Sequence, residues 1–110
     1  MSEPVSFSGF SMPDLRGKVA LVTGSSLGIG AAVAKAFGAQ GMKVVVHYNR
    51  SAAPAAQVAE AIEANGGQAM LVGADVRDTS AIARCVDEVL QRFGRIDVLV
   101  NNAGITQPAK

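Results

Sequence analysis

The run Thr23-Gly24-Ser25-Ser26-Leu27-Gly28-Ile29-Gly30 gathers glycines and hydroxyl side chains between a β-prone stretch and a segment of helical spacing. In that setting backbone N–H groups and a helix dipole can hold a phosphate. Three chemistries compete for the loop. A nucleotide P-loop needs a glycine five residues after its first and then a lysine; Ile29 and Gly30 stand there, which excludes it. Gly24-Ser25-Ser26-Leu27-Gly28 also satisfies the G-x-S-x-G elbow of α/β-hydrolases, with Ser26 as the nucleophile. That chemistry needs a histidine after the acid, but the single histidine, His47, precedes Asp75, so no triad assembles in hydrolase order. The third chemistry is dinucleotide binding, where glycines give a tight turn, close approach to pyrophosphate and close helix–strand packing. The G-x-G-x-x-G/A fingerprint is absent, since counting from Gly28 brings Val33 to its third glycine; the spacing here is G-x-x-x-G-x-G. Spacing alone leaves two readings open, a dinucleotide loop and a plain structural turn.

A second cluster, Asn101-Asn102-Ala103-Gly104, directly follows an apolar strand-like run, at the sheet edge where open α/β folds bind ligands. Thr-Gly-x-x-x-Gly-Ile-Gly followed by Asn-Asn-Ala-Gly closely resembles the short-chain dehydrogenase/reductase family. The likeness runs from about Asp14 to Ile105 and includes Arg16-Gly17-Lys18-Val19-Ala20-Leu21-Val22. It implies that Gly24, Gly28 and Gly30 shape a pyrophosphate site, with Ser25, Ser26 and Ile29 offering polar or backbone contacts. By the same resemblance Asn101 steadies the central strands, and Ala103 and Gly104 line the adenosine side. Asp75-Val76 matches the family's adenine-contacting pair, the carboxylate accepting from the adenine amino group; the plain alternative is a solvated Asp beside a buried Val.

Cofactor choice turns on the end of the second strand, where NAD enzymes place an acid on the ribose 2′-OH. Tyr48 holds that position, followed by Asn49, Arg50 and Ser51. With no acid there and a guanidinium available for bidentate phosphate binding, NADP (NADPH) is expected over NAD; Arg50 as a solvated loop charge is the alternative. The Val-Val-Val-His-Tyr-Asn-Arg-Ser stretch is most similar to NADP-dependent 3-oxoacyl-acyl-carrier-protein reductases.

Family members reduce a carbonyl or oxidise an alcohol with a Tyr acid/base, a Lys in Tyr-x-x-x-Lys and a Ser. The single tyrosine, Tyr48, is followed four residues later by Ala52, so these 110 residues contain no such pair and no catalytic residue is assigned. The expectation is a cofactor-binding fragment, the N-terminal half of a reductase, inert and only marginally folded alone. A small carbonyl or alcohol substrate and a homo-oligomeric state are expected of a full-length parent. A non-catalytic nucleotide-binding or interaction remnant is the rival, and a turnover assay separates the two. A receiver-type signalling domain is excluded, because Thr23-Gly24 stands where its acidic pair must hold Mg²⁺.

These residues need a scaffold. Lys18 to Thr23 is a continuous β-prone run, the pattern of a strand covered on both faces. Ile29, Val33, Ala36 and Phe37 recur at helical spacing, with Gly41 as the stop. Lys43 to Tyr48 repeats the buried-strand pattern, and Ser51 is expected to cap a helix with Pro54 in its first turn. Ala55, Val58, Ala59 and Ile62 keep that helix apolar on one face until Asn65-Gly66-Gly67. Gln68 to Gly73 forms a third strand, with Ala74-Asp75-Val76 in a loop. Asp78 or Thr79 caps a helix with Ile82, Cys85, Val86, Val89, Leu90 and Phe93 on one face; Gly94 closes it and Ile96 to Val100 is strand four.

This βαβαβαβ order is the grammar of an α/β parallel sheet. Right-handed crossovers and a switch after strand three give the order 3-2-1-4, half of a Rossmann-like doubly wound sheet, with two helices on one face and the third on the other. Residues 1–16 read as a flexible leader and 17–110 as a partial dinucleotide-binding domain truncated after strand four.

Composition narrows the partners. One domain fits in 110 residues, and ten basic against nine acidic side chains leave a charge of +1, without the excess that nucleic acid or an anionic membrane requires. The lone Cys85 makes neither an internal disulfide nor a cysteine metal cage, no metal site is expected, and no apolar run nears the ~20 residues that span a bilayer. No secretory signal opens the chain, so a cytoplasmic location is expected. His47 reads as a strand-end polar tip, Cys85 as a packing residue and Met70 as a core filler.

Overall fold

A computed structural model describes residues 15–102 and the backbone of two short strands before them, β1 (Ser6–Phe7) and β2 (Phe10–Ser11), which pair antiparallel within the expected leader. The main unit runs β3 (Val19–Val22), α1 (Gly28–Ala39), β4 (Lys43–Tyr48), α2 (Ala52–Ala64), β5 (Gln68–Gly73), α3 (Thr79–Phe93) and β6 (Val98–Val100). β3 to β6 form one parallel sheet in the order β5-β4-β3-β6, which is the expected 3-2-1-4.

The sheet is central because its strands carry apolar side chains on both faces. All four residues of β3 are buried, and strand alternation divides them. Ala20, Val44 and Val46 pack under Ala31 and Ala34 of α1 and Ala55, Val58 and Ile62 of α2. Val19, Leu21, Val45 and Val72 meet Ala81, Cys85 and Val89 of α3 on the opposite face. The two-against-one arrangement of helices is therefore observed. Small residues bring α1 close to α2: a Cβ on Gly38 would lie 2.8 Å from Ile62 Cγ2. Burial pushes the Cys85 thiol up, which suits a packing residue.

Two ends differ from expectation. β6 begins at Val98, not Ile96, because Asp97 spends its side chain on the neighbouring strand: Val19 N–H donates to Asp97 Oδ2 at 2.9 Å while Asp97 N–H donates to the Val19 carbonyl at 2.8 Å. Ser51 stands at the N-cap of α2, but its hydroxyl makes no capping hydrogen bond. Asp78 does cap α3, accepting from Ala81 N–H at 3.2 Å, and Gly94 ends that helix with φ 81°. Among the described residues, no helix is long and apolar enough to cross a membrane, and no group of acidic, His or Cys side chains could hold a metal.

Candidate functional site

Strand order reverses between β3 and β6, so the carboxyl ends of these strands open the crevice where α/β sheets take ligands. Thr23 joins them: its N–H donates to the Val100 carbonyl at 3.0 Å and its hydroxyl reaches Asn101 Oδ1 at 3.3 Å. Asn101 thereby touches the residue that links the two central strands.

The glycine loop begins one residue later and is pinned from below. Gly24 takes φ 60°, a left-handed conformation that favours glycine. Its N–H donates to His47 Nδ1 at 2.9 Å, and its carbonyl accepts from Asn102 Nδ2 at 2.9 Å. Ser25 is wholly buried. Its hydroxyl donates to the Val22 carbonyl at 2.7 Å and accepts from His47 N–H at 2.9 Å, while its own N–H donates to the His47 carbonyl at 2.9 Å. The Ser25 hydroxyl and N–H are thus turned inward to satisfy strand ends, as buried polar groups must be.

Above this base the loop is open. Gly28 has φ 59° with free space where a Cβ would stand, and Leu27 and Ile29 are exposed. Gly30 is the point of closest approach: a Cβ there would collide with the Gly24 carbonyl and lie 2.6 Å from Asn102 Nδ2. The helix that starts here has no side-chain cap. Its first-turn N–H groups lack intrahelical acceptors, and the positive end of the dipole lies beside them, the arrangement that suits an anion. Ser26 borders a groove of about 450 Å³ between α1 and α2, lined also by Lys35, Pro54 and Gln57.

Asn49, Arg50 and Ser51 are exposed together where β4 ends. On the far side, Asp75 is half-buried and Val76 is exposed, unlike the solvated Asp beside a buried Val of the plain alternative. The Asp75 carboxylate is gripped by Arg77, with Nε 3.0 Å from Oδ1, a terminal guanidinium nitrogen 2.8 Å from Oδ2 and the Arg77 N–H 2.9 Å from Oδ1. These hydrogen bonds, with the charges of Arg77 and Arg50, hold Asp75 well below the usual carboxylate range. A mostly apolar cavity of about 430 Å³ adjoins Val76, walled by Leu21, Val72, Ile82, Val86 and Leu99. Ala103 and Gly104 lie outside the described residues.

Three residues of this region escaped the sequence reading. His47 was expected only as a polar tip, yet its second nitrogen, Nε2, is 2.7 Å from the Ala74 carbonyl and the residue is buried. Asn102, beside the assigned Asn101, holds the glycine turn. Arg77, two residues past Asp75, had a signal in that spacing alone.

The short chain dehydrogenase family profile matches residues 18–110. A 3-oxoacyl-[acyl-carrier-protein] reductase of Synechocystis is 51% identical over 96 residues, covering 87% of this chain and 39% of the relative. Among solved structures, a dehydrogenase/reductase of Sinorhizobium meliloti superposes with TM-score 0.81 at 44% identity, covering 86% of this chain and 38% of that one. A Burkholderia cenocepacia protein solved with bound NADP gives TM-score 0.74 at 34% identity, covering 79% and 34%. The chain therefore spans well under half the length of the relatives it matches. Parallel topology, glycine turn and profile agree, and the chain belongs to the short-chain dehydrogenase/reductase family.

Proposed function

We propose that these residues form the cofactor-binding half of an NADP-dependent oxidoreductase that interconverts a small carbonyl compound and its alcohol. The observation that carries the reading is the uncapped N-terminus of α1, presented by a glycine turn whose own polar groups are already satisfied below. The fit is good: Gly28 leaves room for a pyrophosphate, and the first-turn N–H groups supply donors without reorganisation. When bound, the dinucleotide supplies or accepts the hydride.

The chain's own residues bind and orient. N–H groups of the Ser26–Gly30 turn hold the pyrophosphate. Arg50, with the hydroxyl of Ser51 or Ser26, holds a ribose 2′-phosphate; no acid stands at Tyr48 to repel it. The hydroxyl of Ser51 does not cap α2, which supports this use. Asp75 accepts from the adenine amino group and Val76 packs against the ring. The bound NADP of one structural relative and the 3-oxoacyl reductase among the sequence relatives are consistent with that assignment. The free, buried Cys85 suits a reducing compartment, and the reading includes a cytoplasmic, homo-oligomeric parent.

Titrating NADPH and NADH against the chain and its Arg50→Glu variant tests this. NADPH is expected to bind at least about tenfold more tightly, a difference of about 1.4 kcal/mol, and the variant to lose that margin. Equal affinities in the unsubstituted chain refute the preference, and no binding of either refutes the site.

A further inference from the structure

We propose that His47 is a positioning residue for the dinucleotide, a neutral imidazole that clasps the pyrophosphate turn to the adenine-side loop; the proposal rests on the dinucleotide reading above. β4 lies between β5 and β3, and His47 is its penultimate residue. Alternation turns its ring to the α3 face with Val45, where it reaches the loops that leave both neighbouring strands. Nδ1 accepts from Gly24 N–H at 2.9 Å, beyond β3. Nε2 meets the Ala74 carbonyl at 2.7 Å, beyond β5.

The partners dictate the tautomer. A backbone N–H can only donate and a carbonyl can only accept, so Nδ1 carries the lone pair and Nε2 the proton. An imidazolium would set Nδ1–H against Gly24 N–H. Few side chains present an acceptor on one edge and a donor on the other at this reach, and an aliphatic residue would leave both backbone groups unpaired in a buried place.

Ligand geometry follows from this clasp. The bond to Gly24 holds the N–H of that residue inward, as Ser25 N–H is held by the His47 carbonyl, and leaves the donors from Ser26 onward for the ligand. The bond to Ala74 fixes the residue before Asp75. One ring thus sets the spacing between the group that meets pyrophosphate and the group that meets adenine.

Two substitutions separate this from packing. His47→Asn keeps an acceptor near the Nδ1 position, whereas His47→Gln keeps a donor near Nε2 and leaves Gly24 N–H without a partner. Asn in turn leaves the Ala74 carbonyl without its donor; Gln is nearer to His in volume, so a packing role spares Gln, whereas the clasp is broken in both. We expect the Kd for NADPH to rise about tenfold in each variant, since each opens one end of the clasp. Hydrogen exchange at Gly24 is expected to stay slow in the Asn variant and become fast in the Gln variant. Imidazole ¹⁵N spectra of the unsubstituted chain are expected to show the Nε2–H tautomer. If the unsubstituted chain binds NADPH and either variant matches it, or the imidazole exchanges between tautomers, the clasp is overturned while the dinucleotide reading stands. If the unsubstituted chain binds no NADPH, the dinucleotide reading falls and takes the positioning role with it.

Discussion

The Asn102 side-chain amide donates to the Gly24 carbonyl at 2.9 Å, bridging two residues 78 positions apart and tying the end of β6 to the first residue of the glycine loop. Gly24 is consequently held on both sides, by Asn102 at its carbonyl and by His47 at its N–H. The loop is held in shape by bonds from β4 and from the segment after β6, so residues outside the glycine motif control it.

Asn102→Ala is therefore expected to weaken NADPH binding and to lower stability by about 1 kcal/mol, the worth of one intramolecular hydrogen bond. Asn101→Ala is expected to do less, because its contact with the Thr23 hydroxyl is exposed and long at 3.3 Å. Thermal unfolding and NADPH titration of the two variants check the ranking. An Asn101 effect equal to that of Asn102 would contradict it.

Gly30→Ala presses a methyl group onto the Gly24 carbonyl and the Asn102 amide, neither of which can move without losing the bond between them. Overpacking of this kind costs about 1–3 kcal/mol. Gly28→Ala meets no neighbour, and its penalty comes only from φ 59°. Differential scanning calorimetry is expected to show the larger loss of Tm for Gly30→Ala, with NADPH binding reduced in both.

Asp75 titrates well below its ordinary value of 3.8, chiefly through hydrogen bonds from Arg77. A depressed folded-state value stabilises the fold above the unfolded value and ceases to do so as pH falls through the depressed one. The Asp75–Arg77 pair is thus expected to be intact throughout neutral and mildly acidic pH and to open only in strong acid. The carboxylate stays a constant acceptor across that range. In Arg77→Ala, carboxyl ¹³C titration by NMR is expected to move Asp75 back up toward 3.8. No upward movement would assign the shift to other groups.

Asp97 is also held below the usual carboxylate range, first by Val19 N–H and then by Arg95. Asp97→Asn retains an oxygen that can accept from Val19, and Asp97→Ala retains none. The expected order of melting temperature at neutral pH is Asp, then Asn, then Ala. On acidification the difference between Asp and Asn is expected to shrink as the carboxylate protonates. A thermal-melt series in pH checks both.

Much of the architecture could be read along the chain. Valine-rich runs with no polar alternation at 19–22 and 43–48 imply strands covered on both faces, and the helical segments between them leave a parallel sheet as the economical solution. Handedness of the crossovers, with a switch after the third strand, then gives the order observed. The glycine turn, the loop acid Asp75 and the cluster at Arg50 were legible too, because local spacing and residue chemistry define them. What the linear order does not contain is which polar atoms meet. Ser25 turns under the loop, His47 joins β3 to β5, Asn102 outranks its neighbour in holding Gly24, and Arg77 occupies Asp75. In the first three, residues far apart in sequence become neighbours only after the sheet assembles, and burial then obliges each donor to find an acceptor. Asp75–Arg77 is local, but the bidentate grip depends on how the loop leaves β5. Apolar periodicity is a property of one segment at a time and determines the elements. Hydrogen-bond satisfaction is a property of the assembled interior, and the tertiary structure alone decided it.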